Sequence, residues 1–180
     1  MFSLKVDDDI KLCLLEEQQA EALFSLVDEN RVYLREWLPW LDNNTSADDT
    51  RNFIKTSLER FAKNNGFLTG IVYRDQLAGA ISYHGIDWPN QTASIGYWLA
   101  AGFQGRGITT RACRFMVSYA FTELGLNRVE IHCAVKNHKS RAIPERLGFT
   151  TEGTLRQTEW LYDHFVDLVV YGMLANEWRE

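Results

Sequence analysis

Gln104-Gly105-Arg106-Gly107-Ile108-Thr109 stands where the sequence changes its period. Before it, residues 92–99 read as a strand. After it, Ile108, Ala112, Phe115, Met116, Tyr119 and Ala120 recur at helical spacing towards Gly125. That apolar stripe is core contact for an amphipathic helix. The glycines allow a tight turn and keep side chains away from the backbone amides. First-turn amides lack intrahelical partners, and a helix N-terminus carries about half a positive charge. A phosphate therefore fits at this turn, and Arg106 adds a mobile countercharge. Glycine before a helix is also an ordinary connection, so the motif is weak alone. A dinucleotide fingerprint would want a third glycine near Thr110 and a place in the first strand–helix unit. A Walker-type loop would want Gly-Lys-Ser/Thr. Neither is present.

Working outward, residues 128–135 form a β-rich run, which makes the turn and its helix part of a β–α–β crossover. A short helix is expected over 140–147, ended by Gly148, with closing strands over 149–160 and 165–174. Upstream, residues 10–14 read as a strand and 16–37 as helix in two pieces. Residues 47–64 read as a helix capped by Ser46 and stopped by Asn64-Asn65-Gly66. Strands follow over 67–73 and 77–86, joined by a turn at Arg74-Asp75-Gln76, and Trp88-Pro89-Asn90 turns the chain again. The order predicts one mixed α/β sheet with helices on its faces.

The 180 residues are 46% hydrophobic and 24% charged, which excludes disorder as the main state and fits a single domain spanning 1–180. No apolar run approaches the ~18 residues of a membrane span. The start, Met1-Phe2-Ser3-Leu4-Lys5 followed by Asp7-Asp8-Asp9, lacks a signal peptide's basic and apolar regions, so a cytoplasmic location is expected. Cys13, Cys113 and Cys133 are widely spaced, which predicts buried reduced thiols and no metal site. A net charge of −5 argues against nucleic-acid binding. That charge is uneven. Residues 104–146 carry eight Lys/Arg and three acids, a basic island that reads equally as a local anion site or as a solvated helix face.

The glycine turn, helix and strand are followed by Asn137-His138-Lys139-Ser140 and Ile143-Pro144-Glu145-Arg146-Leu147-Gly148-Phe149. In this order they resemble the GNAT superfamily of N-acetyltransferases, closest to the branch that acetylates ribosomal-protein N-termini. Trp37-Leu38-Pro39-Trp40 and Glu152-Gly153-Thr154-Leu155-Arg156 extend the resemblance over almost the whole chain. It implies a single-domain α/β (α+β) fold with a mixed, mostly antiparallel sheet, helices on both faces and a splayed central strand pair. It implies acetyl-CoA as cosubstrate and no metal. The family's turn is Gln/Arg-x-x-Gly-x-Gly/Ala, whose amides bind the diphosphate. Gln104 and Gly107 match it, and Thr109 departs from it. The implied cofactor contacts are Gln104, Gly105, Arg106, Gly107, Ile108 and Thr109. Trp98 and Leu99, on the strand that splays, and Asn137 are implied beside pantetheine.

Acetyl transfer needs a neutral amine, a polarised thioester carbonyl, a stabilised oxyanion and a protonated leaving thiolate. Holding both reactants side by side removes much of the entropic barrier without a covalent enzyme intermediate. The resemblance assigns the leaving-group proton to Ser140. Read as a sequence position alone, Ser140 is a helix cap or first-turn residue, and one hydroxyl can serve both roles. Glu159, between Thr158 and Trp160, is the leading base candidate because desolvation raises a carboxyl pKa. His84 is its rival, and each also has a purely structural reading. An α-amine with pKa ~7.8 is roughly one-seventh neutral at pH 7, against about 0.04% for a lysine. The difference, about 3.5 kcal/mol, favours an α-amine for a single weak base.

Tyr33, Trp37 and Trp40, with His84, are the candidate acceptor-binding residues. For the tryptophans, core packing remains open. The acidic chain suits a basic acceptor such as a ribosomal protein. Acetylation of a small amine (polyamine, amino acid or aminoglycoside) and a non-catalytic CoA-binding module are the alternatives. The resembled branch also implies a possible homodimer.

Overall fold

β5 (Thr92–Leu99) and β6 (Arg128–Ala134) lie parallel in the middle of the sheet, yet they pair only from Thr92↔Arg128 to Ser94↔Glu130. Beyond Ser94 the strands part and leave a wedge between their facing edges. The computed structural model describes residues 2–179. Its sheet has eight strands, the others being β1 (Ser3–Lys5), β2 (Ile10–Leu14), β3 (Leu68–Tyr73), β4 (Gln76–Asp87), β7 (Thr150–Leu161) and β8 (His164–Leu174). The order is β1-β2-β3-β4-β5-β6-β8-β7, and every pair except β5–β6 is antiparallel. This is the mixed sheet that the order of elements predicts, and its antiparallel majority and splay are those the GNAT resemblance implies.

Helices cover both faces. On one, α4 (Ile108–Thr122) buries Ile108, Ala112, Met116 and Ala120 against Ile81, Tyr83, Ile95 and Ile131. On the other, α1 (Ala20–Glu29) and α3 (Ala47–Ala62) bring Leu23 and Ile54 against Leu68 and Ala80. Ala80 and Ile81 are neighbours on β4 but belong to opposite cores, as the two-residue period of a strand requires. Each large apolar side chain buried this way contributes roughly 1.5–3 kcal/mol. Ser46 caps α3 as expected, accepting from the Asp49 amide at 3.2 Å. All three cysteines are free and buried.

Three local features differ from the sequence reading. The helix expected at Ser140 is α5 (His138–Arg146); it starts earlier because Asn137 is its cap, its carboxamide oxygen accepting from the Ser140 amide at 3.1 Å. The turn before β4 shrinks to Arg74-Asp75, with φ of 48° and 63°, and Gln76 already pairs with Tyr73. The sequence reading has no counterpart of β1, whose three residues are too few to carry a period.

After α1 comes α2 (Arg31–Arg35), and the following segment bridges to α3. Tyr162, in the β7–β8 turn, holds that segment: its hydroxyl donates to the Leu38 carbonyl and accepts from the Leu41 amide at 3.2 Å, while Arg35 stacks 3.8 Å from its ring centroid. The hairpin that carries Glu159 is thereby tied to the segment that carries Trp37 and Trp40.

Candidate active site

At the wide end of the wedge lies a cavity of about 880 Å³. Residues 104–109 of the glycine turn line it, together with Trp98, Leu99, Asn137 and Ser140. Gly105 and Gly107 have φ of 75° and 68°, and Gly107 is the α4 N-cap. No heavy atom stands within 4 Å of where a Cβ would project at either glycine, so the backbone there is open to a ligand. Ile108 is turned into the core and Thr109 is buried, which leaves main chain as what they can offer a ligand. Arg106, Arg111, Lys139 and Arg146 also line the cavity and give it a positive wall. Asp7 holds Arg111 at 2.7 Å. Size, open amides at a helix N-terminus and basic walls fit a diphosphate with a long arm.

A second cavity, of about 660 Å³, lies on the α3 face of the sheet. The two share Trp37, Leu38, Tyr97, Trp98, Asn137 and Ser140 as lining, so they meet at the start of α5. Ser140 Oγ lies 3.3 Å from Cys133 Sγ, and the Tyr97 hydroxyl donates to the Ser140 carbonyl at 3.0 Å. Burial pushes the Cys133 thiol up, so it stays protonated beside the serine at neutral pH.

Glu159 lines the second cavity half-buried. Its carboxyl lies above the usual carboxylate range through desolvation alone. His84 lines the same cavity with its pKa lowered by desolvation, then by Arg60 and His132. As a whole residue His84 counts as exposed, yet its ring is packed over β5: a Cβ on Gly96 would stand 2.1 Å from His84 Nε2. The packing of the ring, rather than the exposure of the residue, governs its titration.

Trp37 and Trp40 are both half-buried and both line the second cavity; Trp40 also packs against the small core of Val27, Leu34 and Leu41. Tyr33 lies elsewhere. It lines the first cavity and not the second, and its hydroxyl accepts from Gln104 Nε2, whose carboxamide oxygen accepts from Lys139 Nζ at 3.2 Å. Sequence reasoning did not find Tyr97, Cys133, Arg60 or His132 as site residues. Their types carry no motif, and only the parting of β5 from β6 and the packing of α3 on the sheet bring them to the junction or the cavity. Among the described residues, no three His, Cys, Asp or Glu side chains group as a metal site, and no helix is long and apolar enough to cross a membrane.

Residues 10–150 match the acetyltransferase (GNAT) domain family. The chain belongs to the GNAT acetyltransferases. It is 45% identical over 180 residues to the putative ribosomal N-acetyltransferase YdaF of Bacillus subtilis, covering 99% of this chain and 98% of that one. Among solved structures it is similar to the microcin C7 self-immunity acetyltransferase MccE in complex with acetyl-CoA and AMP. That match has a TM-score of 0.91 and 34% identity and covers 95% of each chain. It is also similar to RimL, a ribosomal L7/L12 α-N-protein acetyltransferase, in complex with coenzyme A. Here the TM-score is 0.93 and the identity 28%, covering 96% of this chain and 98% of that one. The chain is thus an acetyltransferase whose structural neighbours bind CoA or acetyl-CoA.

Proposed function

We propose that residues 1–180 act as one acetyl-CoA-dependent N-acetyltransferase unit, and that its acceptor is a protein N-terminal α-amine of the ribosomal-protein type. The supporting observation is the meeting of two cavities at Ser140: one has open amides and basic walls, the other a desolvated carboxyl. Acetyl-CoA supplies the acyl group as a thioester. The amides of residues 105–109, with Arg106, hold its diphosphate, and Asn137, Trp98 and Leu99 flank its arm. Ser140 holds a proton at Oγ at the junction, where a departing sulfur needs one. Glu159 takes the proton from the amine, directly or through a water. Trp37, Trp40 and His84 line the path of the acceptor, while Tyr33 braces Gln104 on the cofactor side. Such a substrate pair places the activity in the cytoplasm.

A polyamine acceptor would favour an acidic cavity. The charged and titratable lining here mixes Asp49 and Glu159 with Arg60, His84 and His132. Asp49 is engaged, accepting from Thr45 and from Ser46 at the start of α3. The names of YdaF and RimL support the protein acceptor further. The test is to incubate the enzyme and acetyl-CoA with N-terminal peptides, lysine side-chain peptides, polyamines and amino acids, and to read free thiol and product mass. Acetylation confined to peptide α-amines is expected. Turnover of polyamines alone overturns the acceptor, and tight CoA binding without any turnover overturns the enzymatic reading.

A further inference from the structure

The end of the acceptor cavity away from Ser140 carries its own charge pattern. Arg60 from the last turn of α3, His84 from β4 and His132 from β6 all line it. They are close enough that Arg60 and His132 both depress the ionisation of His84. Arg60 is the one Lys or Arg among the described residues lining this cavity. It is half-buried, and its guanidinium reaches only the His84 carbonyl at 3.4 Å and the Ser57 hydroxyl at 3.2 Å; no carboxylate among the described residues pairs with it. The acids that face the cavity or its lining are placed or occupied otherwise. Glu130 accepts from Arg128 at 2.9 Å and faces His132 Nε2 at 2.9 Å. Asp49 lies near the opposite end of α3, about 16 Å along the helix from Arg60. Glu159 sits on the hairpin. A guanidinium left with two weak neutral contacts in a cavity wall has donors to spare for an anion.

We propose that this end is a carboxylate subsite: Arg60 pairs with an acidic group of the acceptor, and the His84 and His132 rings flank it. The inference rests on reading this cavity as the acceptor site. His84 overlies Gly96, two residues along β5 from Trp98 at the junction, or about 7 Å, and Arg60 is its neighbour. An extended peptide advances about 3.3 Å per residue, so an acid at positions 2–5 of the acceptor comes level with Arg60. The chain's net charge of −5 points to basic partners, but charges beyond a Debye length of about 8 Å are screened, and a contact pair decides locally. The carboxylate comes either from an Asp or Glu near a protein N-terminus or from the free C-terminus of a short peptide.

The experiment compares kcat/KM for neutral Ser-initiated heptapeptides carrying Asp or Lys at each of positions 2–5, alongside di- and tripeptides with free or amidated C-termini. At one or two positions the Asp peptide is expected to exceed the Lys peptide by about tenfold, mainly through KM. That ratio inverts in Arg60→Glu and persists in Arg60→Lys. Because the ratio is taken within one preparation, partial misfolding of a variant cancels. A gain confined to short amines with a free carboxylate supports the subsite and overturns the protein acceptor. Equal ratios in wild type and Arg60→Glu overturn the subsite while leaving N-terminal acetylation intact. If no amine is turned over, calorimetric titration of the same peptides decides: an Arg60-dependent preference for Asp supports the subsite, and its absence overturns it.

Discussion

The Tyr97 hydroxyl donates to the Ser140 carbonyl at 3.0 Å, and Pro144 accounts for that bond. Within α5 the Ser140 carbonyl would accept from the amide four residues on, but residue 144 is a proline and has no N–H. Tyr97, arriving across the wedge from β5, supplies the missing donor. A strand on one side of the first cavity thus fixes the helix turn that carries the junction hydroxyl on the other side.

Tyr97→Phe leaves that part-buried carbonyl without its donor, which costs about 1 kcal/mol, the net worth of an ordinary hydrogen bond. With Ser140 loosened, kcat is expected to fall while the acetyl-CoA affinity holds. Adding Pro144→Ala restores a backbone N–H and should return part of both stability and kcat. Thermal melts and steady-state kinetics on the single and double variants check this. No recovery in the double variant would show that the helix defect is not what Tyr97 repairs.

Ser140→Ala removes the hydroxyl but keeps the amide that Asn137 caps, so α5 stays intact. Turnover is expected to drop by about 10²-fold, the lower end for a lost proton donor. The dissociation constant for acetyl-CoA, read by calorimetry, should change little. An unchanged kcat would remove Ser140 from the reaction.

Glu159 has a raised pKa in the folded protein, so between the ordinary Glu value and the raised one the folded state holds a proton that the unfolded state has released. Stability attributable to this group therefore declines as pH rises from the ordinary Glu value through the raised one. Glu159→Gln should melt at or above the wild-type temperature at pH 7, and this advantage should vanish below about pH 4, where both states are protonated. The same variant should lose the rise in rate on the alkaline side of the profile. A superimposable pH–rate profile would transfer the base to His84, whose neutral form is favoured, or to water.

Gly107→Val places a β-branched residue at φ 68°, where the left-handed conformation costs roughly 1–2 kcal/mol. It also puts a side chain where no heavy atom now stands within 4 Å of the Cβ position. Affinity for CoA should fall by more than the loss of folded protein explains. Gly102→Ala, whose φ is not positive and whose Cβ would also meet open space, should leave both close to wild type. Equal CoA affinities in the two variants would move the diphosphate away from this turn.

Much of this protein is legible from local pattern. Period-2 and period-3.6 stretches reveal the sheet strands except β1, both long helices and the crossover, because those periods follow from burying one face of each element. The glycine turn and the Ser46 cap are legible because backbone conformation and capping demand particular residue types at particular spacings. Boundaries slipped where a side chain and not a period sets the end, as when Asn137 starts α5 ahead of Ser140.

Other features depend on distance in space. Residues 97, 133 and 140 converge because β5 and β6 stop pairing after Ser94, and that parting leaves no local sequence trace. Tyr33 lines the first cavity and not the second because α2 sets it beside Gln104. The role of Arg60 depends on which carboxylates come near it. Element type arises from contacts between near neighbours in the chain, and these residues carry it in their order. The cavities, their charges and their desolvated groups arise from contacts between segments far apart, and only the closed sheet with its covering helices decides them.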